Sequence, residues 1–273
     1  MKKNILLLSL LILISCRKER FVIDNLNGNR IIALGHAGMG LGNDYPMNSA
    51  ESILQCLNIG MDGTEFDVQL TRDSVLVAFH DPDLSNSTTL KGVINSLSWA
   101  EVKRAQYTQK LYLNYSIVSL EDLFSNIYNL QQFKFTFDCK LYTENTNTTQ
   151  FYEFYIRAII RILQKYQLED NAFIESQDIA FLRLFKSKKA DYKLFIYPAS
   201  FEEGLSTAKA EQLFGITISS KNITAEQIKL AHENNLWVAI WNTHTEADNK
   251  EAIRKSPDCI QTDKAKNLLK LLK

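Results

Sequence analysis

The chain has 273 residues, 45% hydrophobic and 23% charged, with 31 Lys+Arg set against 31 Asp+Glu. That length holds one large α/β domain or two small ones, and the composition is that of an ordinary globular protein. An even charge balance leaves no electrostatic footprint for nucleic acid or for a generally acidic partner.

Residues 1–16 read as a lipoprotein signal peptide. Lys2 and Lys3 precede a mostly apolar run from Asn4 to Ile14, about the length of a signal h-region and too short to span a bilayer. Leu13-Ile14-Ser15-Cys16 resembles a bacterial lipobox, which makes Cys16 the lipidated first residue of the mature chain. Several acyl chains on one cysteine anchor a protein stably. The expectation is a lipid-anchored protein of the bacterial cell envelope, on the outer membrane, with its domain outside the cytoplasm. Residues 17–29 are polar and read as a tether, and 30–273 as the folded domain. Cys56, Cys139 and Cys259 fall in apolar periodic segments. An odd, widely spread set is not a disulfide framework, so they read as small buried hydrophobes.

Ile31-Ile32-Ala33-Leu34 is a short apolar run, read as a buried strand. A glycine-rich turn, Gly35-His36-Ala37-Gly38-Met39-Gly40-Leu41-Gly42, follows it. Ser49 to Ile59 reads as a helix capped by Ser49, with Gly60 just past its end. Thr64 to Asp81 then reads as two strands joined by a tight turn. The gap, Thr71 to Ser74, is far shorter than the dozen or so residues of a parallel crossover. The two strands therefore form an antiparallel hairpin, and His80 returns near Glu65 and Asp67. Pro82 to Leu130 shows no strong strand and two helical stretches, Trp99–Gln106 and Leu120–Leu130. Such a long connection reads as a lid or binding loop, with Trp99, Tyr107, Tyr112 and Tyr115 as its core or as a wall of the site.

Beyond Phe133 strands and amphipathic helices alternate to the end of the chain. Counting the hairpin once, strands begin near 31, 64, 134, 172, 194, 216, 237 and 259. Eight βα units point to a (β/α)8 TIM barrel with a hairpin extension and a long insertion after the second strand. The alternative, an open doubly wound sheet, lacks a Gly-x-Gly-x-x-Gly with a suitably placed acid.

The site of such a barrel lies at the C-terminal ends of its strands. Glu65 and Asp67 are two residues apart on one strand, so both face the same way. Two buried carboxylates on one face are costly without a positive partner. Asp138 closes the third strand, and the three acids would hold one hard cation, Ca2+ or Mg2+. His36 and His80 flank that position as a candidate general acid–base pair. Lys140 can neutralise an anionic substrate oxygen, and Trp241 closes the seventh strand. An anion between metal and lysine, with two histidines across it, points to phosphoryl chemistry. Glu175, near the mouth, reads as structural, and His232, at a polar helix end, as solvated.

Gly35-His36-x-Gly38, the run from Gly60 to Asp73, His80-Asp81, Ser119-Leu120-Glu121-Asp122, Trp237 to Trp241 and Asp258 to Asp263 together resemble the glycerophosphodiester phosphodiesterase family. The resemblance covers about Ile31 to Lys273. It implies a TIM barrel, a divalent cation, and hydrolysis of a small glycerophosphodiester to glycerol 3-phosphate and an alcohol. It implies His36 and His80 as the catalytic pair, Glu65, Asp67 and Asp138 as metal ligands, and Lys140 as a phosphate contact. Trp241 is assigned to substrate binding. This chain has Ala37 where the family commonly carries arginine, Met47 where it has glutamate, Asp138 where glutamate is usual, and His244 where it tends to have asparagine. The first two departures leave open a catalytically degenerate surface lipoprotein that only binds phosphodiesters. A related barrel acting on intact lipid, a phospholipase, is the other alternative.

Overall fold

The computed structural model describes residues 20–42, 44–189 and 191–273. Cys16 and the expected signal peptide lie outside them. Ten strands form one sheet: β1 (Ile32–Gly35), β2 (Gly63–Leu70), β3 (Leu76–Ala78), β4 (Val118–Ser119), β5 (Lys134–Cys139), β6 (Ala172–Ser176), β7 (Lys193–Ile196), β8 (Gly215–Ser219), β9 (Trp237–Thr243) and β10 (Cys259–Thr262). Eight are parallel in the order β1-β10-β9-β8-β7-β6-β5-β2, and β1 pairs with β2 to close the barrel. The remaining two extend β2 antiparallel, first β3 and then β4. The TIM barrel and its hairpin are therefore as the βα count predicts.

The helices are α1 (Ala50–Asn58), α2 (Trp99–Val102), α3 (Leu120–Ser125), α4 (Thr148–Tyr166), α5 (Ile179–Lys188), α6 (Phe201–Ala210), α7 (Ala225–Glu233), α8 (Glu246–Arg254) and α9 (Ala265–Leu272). Ser49 caps α1, accepting from the Ser52 amide and satisfying a donor with no intrahelical partner. The amphipathic α4 buries Phe151, Tyr155, Ala158, Ile159, Ile162 and Leu163, the apolar stripe expected of it, except that Phe154 of the same stripe is exposed. Both expected insertion helices are shorter than the sequence suggests, and β4 is a two-residue strand that propensity did not reveal.

The core has separate parts. The largest packs strands against the helix ring, a smaller one (Ile32, Leu34, Phe173, Phe195, Ala239, Cys259) fills the lower barrel, and a third lies inside the insertion. This last part joins Val77 and Phe79 to Leu84, Ile94, Val102, Ala105, Tyr107 and Ile117, so the insertion is a folded unit seated on the hairpin. Cys56, Cys139 and Cys259 are buried and unpaired, as expected.

The expected tether is in part seated on the barrel. Phe21 and Ile23 pack on the core. Asn25 Nδ2 donates to the Pro257 carbonyl at 2.7 Å, and the Asn27 amide donates to Asp258 Oδ1 at 3.1 Å. These contacts lie before β10, at the end of the barrel opposite the site. His232 is there too, bonded through Nε2 to the buried Asp258 at 2.9 Å, and is not the solvated histidine its position suggested.

Candidate active site

Register places the acids. Asp67 is opposite Asp138, and Asp138 is opposite Glu175, so three carboxylates form a row across β2, β5 and β6. Glu65 sits two residues below Asp67 on the same face. All four are buried. One oxygen each from Glu65, Asp67 and Asp138 lies within 4.8 Å of the others. Lys140 Nζ bridges part of this cluster, 3.0 Å from Asp67 Oδ1 and 2.5 Å from Asp138 Oδ2. Its first role is thus to neutralise the acids rather than to wait free for substrate.

The charge does not balance with that one lysine. Burial, then the neighbouring Asp67, pushes the Glu65 carboxyl well above its usual range. Burial likewise raises Asp138, against the pull of Lys140. Burial and Asp138 push Glu175 up to about 8. For Asp67, burial is outweighed by Lys140, His80 and Asn48, and its carboxyl is held low. An all-oxygen, net-negative and desolvated cluster fits a hard divalent cation. Glu175 is instead occupied by Thr217 Oγ1 at 2.7 Å and Gln261 Nε2 at 3.2 Å, consistent with a structural role.

His36 and His80 arrive from two directions. The turn after β1 carries His36. It is pressed against α1 and β10 at glycines, since a Cβ on Gly38 would lie 2.4 Å from Ser52 Oγ, and one on Gly40 2.2 Å from the Asp263 Cα; both have positive φ. Ala37 is buried with φ 48° and donates its amide to Glu65 Oε2 at 2.8 Å, so the residue in the usual arginine position braces a metal-ligand candidate through its backbone. His36 Nδ1 is 2.8 Å from Asp263 Oδ1, and Nε2 is 4.0 Å from Glu65 Oε2. Burial alone would depress this imidazole, but Asp263, Glu65 and Asp67 overcome it and push it up to about 9.

His80 lies two residues past the end of β3. The Phe79 amide donates to the Asp67 carbonyl at 2.9 Å, which holds the end of the hairpin level with the acids. Gln69 Nε2 donates to the carbonyls of Phe79 (2.8 Å) and Asp81 (2.9 Å), bracketing His80 from both sides. His80 Nδ1 is 3.1 Å from Asp81 Oδ1, and the other Asp81 oxygen accepts from Ser87 Oγ at 3.0 Å. Each histidine thus has its Nδ1 engaged by a carboxylate, which leaves Nε2 for chemistry.

Three contributors escaped sequence reasoning. Asn48 clamps Asp67 twice, donating from Nδ2 at 2.7 Å and accepting the Asp67 amide at 3.0 Å. Asp263 and Gln69 are the others. Asn48 has φ 63°, a conformation asparagine tolerates. Trp241 and Lys140 line the same cavity of about 750 Å3 with His36, His80, Tyr107 and Tyr112. Trp241 Nε1 and Tyr107 Oη are buried without a hydrogen-bond partner among the described residues, a cost a ligand can relieve.

The model of the Glycerophosphoryl diester phosphodiesterase family matches residues 39–267. This chain belongs to that family. A glycerophosphodiester phosphodiesterase of Bacillus altitudinis is 24% identical, over 83% of this chain and 93% of its own. One of Caldanaerobacter subterraneus is 23% identical, over 89% and 98%. Among solved structures, the Oleispira antarctica phosphodiesterase in complex with the product sn-glycerol-3-phosphate superposes with TM-score 0.76 at 18% identity, covering 88% of this chain and 95% of its own. A glycerophosphodiester phosphodiesterase of Parabacteroides distasonis gives TM-score 0.74 at 20% identity, over 89% and 97%. These structural likenesses extend the family assignment to the fold: a phosphodiesterase-family barrel with the acids at its C-terminal mouth.

Proposed function

We propose that this family member hydrolyses a soluble glycerophosphodiester to glycerol 3-phosphate and an alcohol, with His36 and His80 as its general acid–base pair. The observation that carries this reading is the pairing of two imidazoles, each held at Nδ1 by its own carboxylate, around a floor of three clustered acids. Glu65, Asp67 and Asp138 would hold Ca2+ or Mg2+, which supplies positive charge against the phosphate oxygens. One imidazole takes the proton of the attacking hydroxyl, and the other gives a proton to the departing alkoxide. Asp263 and Asp81 stabilise the imidazolium form of their histidines, which the base reaches on accepting its proton and the acid holds before giving its proton up. Lys140 adds fixed charge beside the phosphate, and Trp241 offers its unpaired Nε1–H to a substrate oxygen. The product bound to the Oleispira antarctica protein supports glycerol 3-phosphate as the retained half.

The test is release of glycerol 3-phosphate from ethanolamine, choline and glycerol diesters with Ca2+ or Mg2+ present. EDTA should stop it, and His36→Ala and His80→Ala should each lower kcat by about 10²–10⁴-fold. Tight diester binding without turnover would instead establish a degenerate binder, and turnover of micellar lipid alone a phospholipase.

The same reading includes lipidation at Cys16 and attachment to the cell envelope. The first described residues lie at the barrel end away from the cavity, so a lipid there would hold the mouth away from its own membrane, which favours soluble diesters over that membrane's lipids. Cys16→Ser should move the protein from the membrane to the soluble fraction. Unchanged fractionation would remove this part of the proposal.

A further inference from the structure

His244 is not needed by the chemistry above, yet it reaches into the site. Its Nδ1 bonds to Asp263 Oδ2, while the other oxygen of the same carboxylate takes His36 Nδ1 at 2.8 Å. Asp263 is only 4% exposed, so it shares one buried carboxylate between two imidazoles. The backbone delivers His244 with little freedom. Between Ile260 and Thr262 of β10 the register with β9 shifts, Ile240 facing the first and Thr243 the second. One extra residue on β9 therefore resets the side-chain alternation. Asn242, inside that bulge, has φ 65°, and its Nδ2 donates to Ser219 Oγ at 2.9 Å. Directly after it, Asp248 Oδ2 accepts the amides of His244 (3.1 Å) and Thr245 (2.9 Å) at the start of α8.

We infer that His244 is a positioning residue, which fixes the rotation of the Asp263 carboxylate and through it the ring orientation and tautomer of His36. A carboxylate held at one oxygen can swing about its Cβ–Cγ bond. Held at both, it presents Oδ1 to His36 in one direction, so that His36 carries its proton on Nδ1 and turns Nε2 toward Glu65 and the cavity. The Leu41 amide also holds Asp263, so the histidine refines an arrangement that is already partly built. The inference rests on the acid–base role proposed for His36, but its structural half is independent of catalysis.

The experiment compares His244→Leu and His244→Asn with the wild type. Asparagine keeps a side-chain N–H close to the place of Nδ1, while leucine removes the donor at similar bulk. In the metal-free protein at a pH above the His36 pKa of about 9, where the ring is neutral, 15N NMR of the imidazoles should show His36 protonated at Nδ1 in the wild type and in His244→Asn, and a mixture of tautomers in His244→Leu. In the metal-loaded enzyme, His244→Leu should lose about 10-fold in kcat with KM nearly unchanged, the scale of an outer-shell contact, and His244→Asn should recover most of it. A His36 tautomer unaffected by leucine overturns the inference whatever the activity. An altered tautomer with kcat unchanged overturns instead the role of His36 in catalysis.

Discussion

His36 is the residue whose surroundings make the sharpest claim on experiment. Its folded pKa is raised, from 6.5 to about 9, so the folded state binds its proton more tightly than the unfolded chain does. The stabilisation is complete below about 6.5 and is lost as pH rises through about 9. Urea midpoints of the metal-free protein should therefore fall across that window, and the His36→Gln variant should show a flatter profile there. Gln69 makes a different demand. It is buried and holds both carbonyls flanking His80. Gln69→Leu should free the hairpin end and lower kcat by up to roughly 10²-fold, the penalty of a misplacement near 1 Å, with a smaller change in KM. Steady-state kinetics on a soluble diester decides this, and an unchanged kcat would mean that the Phe79 backbone alone positions His80. The histidines and the paired acids of β2 announce themselves by residue type and spacing, whereas Gln69 and Asn48 are ordinary polar residues in sequence and Asp263 is one of 31 acids. Their importance lies in partners as far as 227 positions away.

The hairpin was legible as an element because so few residues separate its strands, and a short gap leaves only the antiparallel solution. Its partner β4 was not, since two residues carry no periodicity and pairing with β3 alone defines it. What anchors the hairpin is an aromatic cluster on the far side of the acid-bearing strand. Phe66 points away from Glu65 and Asp67, and its ring lies 4.9 Å from Phe137, 6.0 Å from Phe135 and 6.1 Å from Phe124. This ties β2 to β5 and α3, and so fixes the floor of the site. Phe66→Ala should cost about 3–5 kcal/mol, read as a drop in urea midpoint. Because the strand carrying two of the acids is then less well held, metal affinity should fall with it.

For the whole molecule, the barrel separates two tasks. Its lower end is filled with apolar side chains and braced by residues 20–29, by Asp258 and by His232. Its upper end gathers four buried carboxylates around one lysine, an arrangement that works against folding until a cation is present. Ca2+ or Mg2+ at about 100 times its Kd should stabilise the protein by about 2.7 kcal/mol. The thermal midpoint should rise on metal addition and fall with EDTA, and the combined Glu65→Gln and Asp138→Asn variant should be insensitive to either. A metal-independent midpoint in the wild type would place the cation elsewhere.

By itself, the sequence determined the eightfold repeat, the hairpin and the residue types able to hold a metal and move a proton. Those follow from local patterning: alternation, helical stripes, turn length, and carboxylates two apart on one strand. The tertiary structure decided which of them meet. Strand register put Asp67, Asp138 and Glu175 in one row, barrel closure brought Asp263 to His36, and a single-residue bulge turned His244 onto the same carboxylate. The physical reason is that register and closure are set by packing summed over the whole barrel, which no short stretch of the chain contains.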